Sequence, residues 1–370
     1  MNIQVQPYQA QHIPLVKQFN KRLENGNASA RFSESNIPSW LPKSESSRLY
    51  QEYFLAIDNG AVRGAYILKY QDFLINGQII SIAAYQLPIS EGIINPDFVN
   101  IGMLLTLDAL KKLPELFVLG MGGYSEQLPQ LLEAMRWSIC EIPFYFKVIC
   151  PFNFLRRISF LRKSLLRRIL LDSLAYTGTG WLAIHASRAL RSRKIRSGSL
   201  SVIQIEEFDE KAEFLWNEVK NNYKMIAVRD QETLKILYPQ SSSRFIRIGI
   251  FENQQYIGWA VLLDTPMSNH KQFGSMRVGS VVDCLAHPTN AGKILSCATD
   301  YLVERKVDII VANHSHVMWK DVFNNIGYIK GPSNFLFGAS RNLAKHVRPF
   351  EANEKQIYFM RGDGDGPINL

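Results

Sequence analysis

Residues 95–105 read NPDFVNIGMLL, a proline-containing turn that leads through a glycine into an apolar helical pattern. About 190 residues later the same step recurs, because residues 287–295 read HPTNAGKIL. An apolar strand pattern precedes each copy, at residues 79–87 and 278–285. A helix N-terminus carries unpaired N–H groups and the positive end of the helix dipole, and glycine allows a close approach of the backbone. Each copy therefore predicts a strand–loop–helix step suited to a phosphate group.

The rest of each half follows one plan. Residues 2–8 and 201–208 alternate as strands do, and Asp209 is placed to cap the helix after the second of them. A hairpin follows in each half, around Asp58-Asn59-Gly60 in the first and residues 252–255 in the second. A third strand, the loop, a helix, a buried strand and a last helix and strand complete the order β-α-β-β-β-α-β-α-β. This order predicts a mixed α/β fold in two copies.

The chain has 370 residues, more than one hydrophobic core usually supports. We expect an N-terminal domain at residues 1–150, a connector at 151–199 and a C-terminal domain at 200–370. No apolar run reaches the length of a spanning helix, and the first residues lack a signal-peptide pattern. A cytoplasmic protein is the expectation. The four cysteines have no C-x-x-C spacing, so we expect free thiols.

The connector carries the whole excess of positive charge. Residues 151–197 hold eleven basic residues and one acidic residue, Asp172, while the net charge of the chain is +9. The rest is close to neutral, which argues against a nucleic-acid partner. Large apolar residues alternate with the basic ones. Residues 152–196 therefore predict either a helix packed on the domains, a face that binds an anionic membrane or an acidic partner, or an apolar lining for a fatty acyl chain.

The repeated loop resembles the acyl-CoA loop of the GNAT superfamily of N-acyltransferases. The resemblance covers most of both halves and implies two GNAT-like domains in tandem with mixed central sheets and a helical basic connector. In each copy two positions differ from the usual pattern. These are Val99 and Leu104 in the first copy, and Thr289 and Ile294 in the second. The resemblance implies acyl-CoA as donor and these donor contacts: Val99, Asn100, Ile101, Gly102, Met103 and Leu104 in the first copy, and Ala291, Gly292 and Lys293 in the second. We expect the first copy to hold the main site.

Acyl transfer to an amine needs a base, a donor for the oxyanion and an acid for the leaving thiolate. In GNAT proteins the oxyanion donor is usually a backbone N–H of the central strand. Four side chains are candidates for the other roles: Asp283, Tyr124, Glu91 and His314. Asp283 lies in an apolar strand, where burial raises a carboxyl pKa; the alternative is a structural aspartate. Tyr124 follows three glycines and is the candidate acid, or a packing tyrosine. No spacing fits a metal site, so no metal is expected.

Three functions remain open on the sequence alone. The first is N-acylation of a primary amine, on a peptide lysine or ornithine side chain or on an amino sugar, from a CoA or carrier-protein thioester. The second is a non-catalytic module that binds acyl-CoA or a partner. The third is a tandem-GNAT peptidyl transferase that uses aminoacyl-tRNA. The tandem proteins of bacterial polysaccharide and modified-peptide gene clusters resemble the chain most, with a similar connector and a terminus like residues 358–365 (YFMRGDGD).

Overall fold

A computed structural model describes residues 3–35, 37–38, 40–44, 47–191 and 199–364, without the side chains of 187–191. Contacts within the chain divide it into two compact units. Unit 1 comprises residues 1–140 and 336–353, and unit 2 comprises residues 141–335 and 354–370. The domain boundaries predicted at 150 and 200 stay a prediction. The two units differ from the predicted domains because residues 336–353 belong to unit 1 and the connector belongs to unit 2.

The described residues form sixteen strands. They are β1 Gln4–Pro7, β2 Tyr50–Asp58, β3 Ala61–Ile75, β4 Gln78–Ser90, β5 Leu116–Leu119, β6 Ser138–Glu141, β7 Phe144–Val148, β8 Leu200–Gln204, β9 Met225–Ala227, β10 Ile246–Glu252, β11 Gln255–Pro266, β12 Arg277–Ala286, β13 Ile309–Asn313, β14 Ile329–Gly331, β15 Leu336–Ala339 and β16 Ile357–Tyr358.

Twelve α-helices occur in the same part of the chain. They are α1 Ile13–Asn25, α2 Ile101–Lys112, α3 Gln127–Ala134, α4 Pro151–Arg157, α5 Leu165–Tyr176, α6 Thr179–Arg191, α7 Glu210–Val219, α8 Gln231–Leu237, α9 Ala291–Glu304, α10 Val317–Asn325, α11 Arg341–His346 and α12 Phe350–Asn353. The predicted element order is confirmed in both halves; the second half adds β9 and α8 after α7.

Each unit contains one mixed sheet. The unit 1 strands run in the order β1-β2-β3-β4-β5-β15-β6, with β4 and β5 parallel. The unit 2 order is β14-β7-β13-β12-β11-β10-β8, with β12 and β13 parallel. Each sheet thus takes one strand from the chain segment that follows the other copy: β15 lies between β5 and β6, and β7 lies between β13 and β14. The mixed sheets confirm the predicted fold class.

Local signals explain several of these elements. Asn59 and Gly60 both have positive φ (48° and 75°), as the predicted Asn-Gly hairpin requires. The Asp209 side chain accepts a hydrogen bond from the N–H of Lys211 and caps α7, as predicted. The helix after each copy of the repeated loop (residues 95–105 and 287–295) lies very close to its sheet. A Cβ atom on Gly64 would come within 2.7 Å of Ile101, and one on Gly258 within 2.6 Å of Ile294.

The connector consists of three helices, α4, α5 and α6. Phe154, Leu155 and Ile158 are buried in a core of unit 2 together with β7, β12 and β13, and Leu171, Leu174 and Ile184 pack against that core. The other side of α5 is exposed, and none of its residues is fully buried. Arg193, Lys194 and Arg196, which contribute to the predicted basic face, lie outside the described residues, as do the side chains of Arg188 and Arg191.

Candidate functional site

In unit 1 the two parallel strands separate soon after they meet. Strands β4 and β5 pair at Ala83–Leu116 and Ala84–Phe117, and β4 then continues to Ser90 along β3. A bulge interrupts that second stretch, where Leu87 and Pro88 lie opposite Tyr66. Leu87 has a φ of +47° and is 42% exposed. Positive φ is strained for a leucine. The backbone at Leu87 is therefore strained, and the residue is exposed to solvent where β4 has separated from β5.

The loop that follows β4 is tightly organised. Ser90 accepts a hydrogen bond from the N–H of Gly92, and Asn95 accepts one from the N–H of Asp97. A Cβ atom on Gly92 would lie 2.6 Å from the Phe98 carbonyl oxygen, so the two ends of the loop touch there. These local contacts fix the path of the chain into α2.

Glu91 anchors this loop to the sheet. Its buried carboxylate accepts hydrogen bonds from Arg22 of α1 (2.8 and 3.1 Å) and Arg63 of β3 (3.0 Å). Burial alone raises the pKa of Glu91, but the two guanidinium groups outweigh it and hold the pKa below its usual 4.5. A carboxylate so paired is a weak base, so the geometry favours an anchoring role over the predicted catalytic one.

The first turn of α2 is loosely surrounded and carries exposed apolar side chains. Asn100 makes no side-chain capping bond to the first turn. A Cβ atom on Gly102 would meet only Leu131, at 3.8 Å. Val99, Met103 and Leu107, spaced by four residues and hence on one face of the helix, are 65%, 46% and 44% exposed. Of the predicted contacts in the first copy, Ile101 is the one that is buried, in the core beneath α2.

Tyr124 lies beyond β5, after the glycine-rich residues 120–123. Gly120 and Gly122 have positive φ (80° and 88°), and the space around a Cβ on Gly123 is empty. Tyr124 itself is 49% exposed. Among the four predicted catalytic side chains it is the one that solvent reaches freely.

The corresponding gap in unit 2 is filled by the chain itself. Strands β12 and β13 pair as far as Val281–Ala312, and residues 358–363 then lie between them. Met360 forms a backbone bridge with His314, and Tyr358 donates a hydrogen bond to the Cys284 carbonyl. A Cβ on Gly362 would lie 3.5 Å from the Cβ of Asp283. Of the similar terminus noted in the sequence, residues 358–363 form this plug; Asp365 lies outside the described residues.

A buried ion network holds the plug. Arg229 donates from Nε to Asp283 (3.0 Å) and from its Nη2 atom to both oxygens of Asp363 (2.9 Å). The second oxygen of Asp283 accepts from the Tyr238 hydroxyl (2.9 Å), and the first also accepts from the Cys284 N–H. Burial, opposed by Arg229 and reinforced by Asp363, raises the pKa of Asp283 to about 6. One guanidinium thus faces two carboxylates.

This network bears on the predicted role of Asp283. Its side chain is 1% exposed, and both carboxylate oxygens already accept hydrogen bonds. An amine has no free oxygen to reach, so the geometry favours a structural role over that of a base. Arg229 and Asp363 were not singled out from the sequence, where the one available signal is an arginine that directly follows the apolar residues 225–228.

His314 is also buried, at the end of β13. Its Nδ1 accepts from the N–H of His316, and its ring stacks on Trp319 with centroids 5.0 Å apart. Burial lowers the pKa of His314 well below 6.5. Within the described chain, Nε2 of His314 has no hydrogen-bond partner. The neutral ring contacts Tyr358 of the plug rather than solvent. Trp137, Trp259 and Trp319 are core residues.

The second loop copy differs from the first in its contacts. Lys293 forms an ion pair with Glu252 (2.6 Å), and Ala291 is buried. Gly292 is half-buried in the first turn of α9. The structure therefore places Tyr124, Glu91 and residues 99–104 in unit 1, and Asp283, His314 and residues 291–293 in unit 2.

No protein-family model and no curated protein matches the sequence. Solved structures do match in fold. A GCN5-related N-acetyltransferase from Anabaena variabilis has a TM-score of 0.55 at 9% identity, over 94% of this chain and 74% of that one. Saccharomyces cerevisiae N-myristoyltransferase with bound myristoyl-CoA has a TM-score of 0.52 at 8% identity, over 91% and 79%. A tandem GNAT protein from the clavulanic acid biosynthesis pathway has a TM-score of 0.50 at 12% identity, over 91% and 98%.

The chain is a tandem GNAT fold. The fold expected from the two loop copies is thereby confirmed. In the nomenclature of the GNAT fold, β4 and β12 are the central strands of the two copies. Helices α2 and α9 follow the two copies of the repeated loop. Within the described residues, every helix is too short or too polar to cross a lipid bilayer.

Proposed function

We propose that this protein is an N-acyltransferase that moves an acyl group from a CoA or carrier-protein thioester to a primary amine. The observation that carries the proposal is the exposed bulge at Leu87, where the parallel strands of unit 1 have separated, next to a glycine-containing helix start. The fold supports it, since the similar yeast enzyme is an N-myristoyltransferase with bound myristoyl-CoA. The amine attacks the thioester carbonyl, the C–S bond breaks, and an amide and a free thiol are the products.

The donor residues belong to unit 1 in this proposal. Backbone N–H groups at residues 99–104 bind the pyrophosphate, because the first turn of a helix has N–H groups without intrahelical partners. N–H groups of β4 near the Leu87 bulge stabilise the oxyanion. Tyr124 is the proposed acid for the thiolate. Val99, Met103 and Leu107 offer an exposed apolar face to the donor. In unit 2 the plug occupies the equivalent gap, which supports a single donor site.

Gly102 offers a clean test of the donor site. Its surroundings accept a Cβ without a clash, so Gly102→Val should leave the fold intact and block a ligand at the helix start. We expect calorimetry with decanoyl-CoA to show one site per chain in the wild type and at least tenfold weaker binding in Gly102→Val. Gly292→Val is the matched control and should bind as the wild type does. Loss of binding in Gly292→Val alone would assign the donor to unit 2 and refute the proposal as stated.

The finer parts of the proposal concern the acceptor and the acyl chain. We propose a peptide lysine or ornithine side chain or an amino sugar as acceptor, and a fatty acyl group as donor. Rates with acetyl-CoA and with C10–C16 thioesters separate short from long acyl chains. Faster transfer from acetyl-CoA than from every long-chain donor would reject the fatty acyl part.

We further propose that the connector binds an anionic membrane surface. Four large residues on the outer side of α5, Leu165, Leu166, Ile169 and Leu170, are each more than half exposed, as is Leu182 of α6. Lys163, Arg167 and Arg168 beside them are exposed too. The one acidic residue, Asp172, is neutralised by Arg162 (2.8 Å). An apolar face edged by basic residues is the pattern of an interfacial helix.

Vesicle binding tests this surface. Each basic residue near an anionic surface contributes about 1 kcal/mol, so changing Lys163, Arg167 and Arg168 to Gln should weaken binding about a hundredfold. Burying the four exposed aliphatic residues of α5 contributes about 1 kcal/mol each, so changing them to Ser should weaken it about a thousandfold. Arg162 is kept because it holds Asp172 and the Leu155 carbonyl.

The matched control changes Val202, Ile203 and Phe214, exposed apolar residues of unit 2 on β8 and α7, to Ser. It should sediment with phosphatidylglycerol-containing vesicles as the wild type does. Wild-type protein that ignores these vesicles at low salt would remove the membrane part of the proposal and leave the acyltransferase part standing.

A further inference from the structure

The reaction proposed for unit 1 requires a base, because a protonated amine has no lone pair with which to attack a thioester. Among the carboxylates singled out in the sequence, Glu91 is held by Arg22 and Arg63. Asp283 belongs to unit 2, where it is buried and paired. A base for the reaction in unit 1 must therefore be another side chain of that unit.

Six carboxylates in the described part of unit 1 make no hydrogen bond or ion pair through their side chains. They are Glu24, Asp72, Asp97, Glu126, Glu133 and Glu351. Four of them lie within regular elements: Glu24 in α1, Asp72 in β3, Glu133 in α3 and Glu351 in α12. Asp97 belongs to the loop proposed to bind phosphate, where its negative charge opposes the ligand. Glu126 is the remaining one, and it follows β5, a strand of the parallel pair.

The segment that carries Glu126 leaves β5 beside the exposed bulge of β4. The pairing of Ala84 with Phe117 sets the register of the two parallel strands, and the same register brings Gly120 level with Leu87. Residues 121–126 then lead from this point into α3. Folds with parallel strands bind ligands at the carboxyl ends of those strands. The segment thus lies at the end of the sheet where the oxyanion donors of β4 are proposed.

The Glu126 side chain has a defined place within this segment. A Cβ atom on Gly122 would lie 2.8 Å from Cγ of Glu126 and 3.8 Å from its Cδ, so the side chain packs against a bare backbone. Gly122 has a φ of +88°, which glycine adopts without strain. The Glu126 N–H donates to the Gly123 carbonyl (3.0 Å). Although Glu126 is the N-cap residue of α3, its side chain makes no capping bond, so an exposed carboxylate remains available.

We propose that Glu126 is the general base that binds the protonated acceptor amine and takes its proton. The inference rests on the proposed function, to which it adds a catalytic residue. The proton passes from the ammonium nitrogen to a carboxylate oxygen of Glu126, the freed lone pair attacks the thioester carbonyl, the C–N bond forms and the C–S bond breaks. The thiolate takes the hydroxyl proton of Tyr124. The second proton that the nitrogen loses replaces it through solvent, and Glu126 releases its own proton to water.

The activity of Glu126→Gln is the first test, with decanoyl-CoA as donor and Nα-acetyllysine or glucosamine as acceptor. We expect kcat/KM for the acceptor that the wild type prefers to fall by about 10²–10⁴-fold, the usual scale for a missing general base. The Kd of decanoyl-CoA and the melting temperature should not change, because the carboxylate makes no bond in the folded chain. Glu133→Gln is the matched control, since Glu133 is exposed on the same helix and also makes no side-chain bond. It should keep wild-type activity.

The pH dependence separates a base from a residue that only holds the amine. Glu126→Gln can use only the unprotonated amine, whose fraction rises about tenfold per pH unit below the pKa of the acceptor. The ratio of wild-type to variant kcat/KM should therefore shrink by about tenfold per unit as the pH is raised from 7 towards that pKa. A ratio that stays constant with pH would overturn the role of base.

A pair of glycine variants tests the placement of the side chain. In Gly122→Ala the new Cβ displaces Glu126, so kcat/KM for the amine should fall at least tenfold while decanoyl-CoA still binds. Gly123→Ala is the matched control, because a Cβ there meets no atom within 4 Å. Equal activity of the two variants would overturn the placement.

The failure of this inference differs from the failure of the proposed function. Acyl transfer by Glu126→Gln at the wild-type rate would overturn the base and leave the acyltransferase standing. Wild type that binds decanoyl-CoA but acylates neither amine would overturn the proposed function, and the base with it.

Discussion

An Asp283→Asn substitution removes one negative charge from the Arg229 network and keeps the size of the side chain and one acceptor oxygen. The network holds one guanidinium and two carboxylates. After the substitution Arg229 remains paired with Asp363, whose two oxygens lie 2.9 Å from Nη2. The variant therefore has a neutral ion pair where the wild type, once Asp283 is ionised, has an excess of one negative charge.

The magnitude follows from the raised pKa. Burial raises the pKa of Asp283 from 3.8 to about 6, so ionisation of this group opposes folding. For a group whose folded pKa is raised, the folded state binds more protons between the two values, and stability falls as pH rises through that window. Two pKa units correspond to about 3 kcal/mol. The wild type should lose about that much stability, relative to Asp283→Asn, between pH 4 and pH 6.

Urea unfolding followed by tryptophan fluorescence, in steps from pH 4.5 to 8, measures this difference. Asp264→Asn is the control of opposite sign. Asp264 is buried, which alone raises its pKa, but Arg277 and Arg305 hold it below 3.8. The loss of stability in that variant should be largest at neutral pH and shrink in acid.

The turnover number of Asp283→Asn tests whether Asp283 has a structural or a catalytic role. Because Asp283 is 1% exposed and both oxygens are occupied, we expect kcat of Asp283→Asn to stay within tenfold of the wild type at pH 7. A loss of about 10²–10⁴-fold, the usual scale for a missing general base, together with a stability difference that does not change with pH, would refute the structural role and restore the catalytic one.

Three further predictions concern stability and the donor loop. Arg229→Met leaves two buried carboxylates without a cation, so chemical unfolding should show a loss of about 3–5 kcal/mol, far more than for Asp283→Asn. Glu91→Gln should lower the free energy of unfolding by about 1–3 kcal/mol at pH 7 and weaken acyl-CoA binding, and the stability difference should shrink as pH falls below 4.5 because the pKa of Glu91 is lowered from that value. Gly64→Ala should cost about 1–3 kcal/mol in unfolding experiments, since its Cβ would push against Ile101 and Leu105, whereas Gly102→Ala should fold as stably as the wild type.

Most of the fold could be predicted from local signals. The Asn59-Gly60 turn, the Asp209 cap and the alternation of the strands depend on residues close in sequence, and they gave the repeated element order. The two exchanged strands could not be predicted this way. Strands β7 and β15 are short, and their partners lie 161 or more residues away in sequence, as the pairs Val148–Ile309 and Ala339–Phe117 show. Nothing local to either strand indicates which sheet it joins.

The site was predicted less completely, for a physical reason. The apolar environment of Asp283 correctly suggested a raised pKa, but the same pattern fits a base and a buried ion pair. What separates the two is Arg229 and Asp363, which lie 54 and 80 residues away and contact Asp283 or its partner only in the folded chain. The partners of Glu91 could not be predicted from the sequence either, because Arg22 and Arg63 lie in α1 and β3 and meet Glu91 only in the folded chain.

The two loop copies also show where functional difference arises in a repeated fold. Both have a proline turn, both lead into a helix without a side-chain cap at Asn100 or Asn290, and both helices lie close over a strand glycine. Judged on these residues alone, either copy suits a donor. The difference is made by residues 358–363, which fill the strand gap of unit 2 and are fixed there by Arg229. In unit 1 the strained bulge at Leu87 remains accessible beside α2. The segment at residues 358–363 thus turns one of the two repeated strand–loop–helix units into a closed structural element.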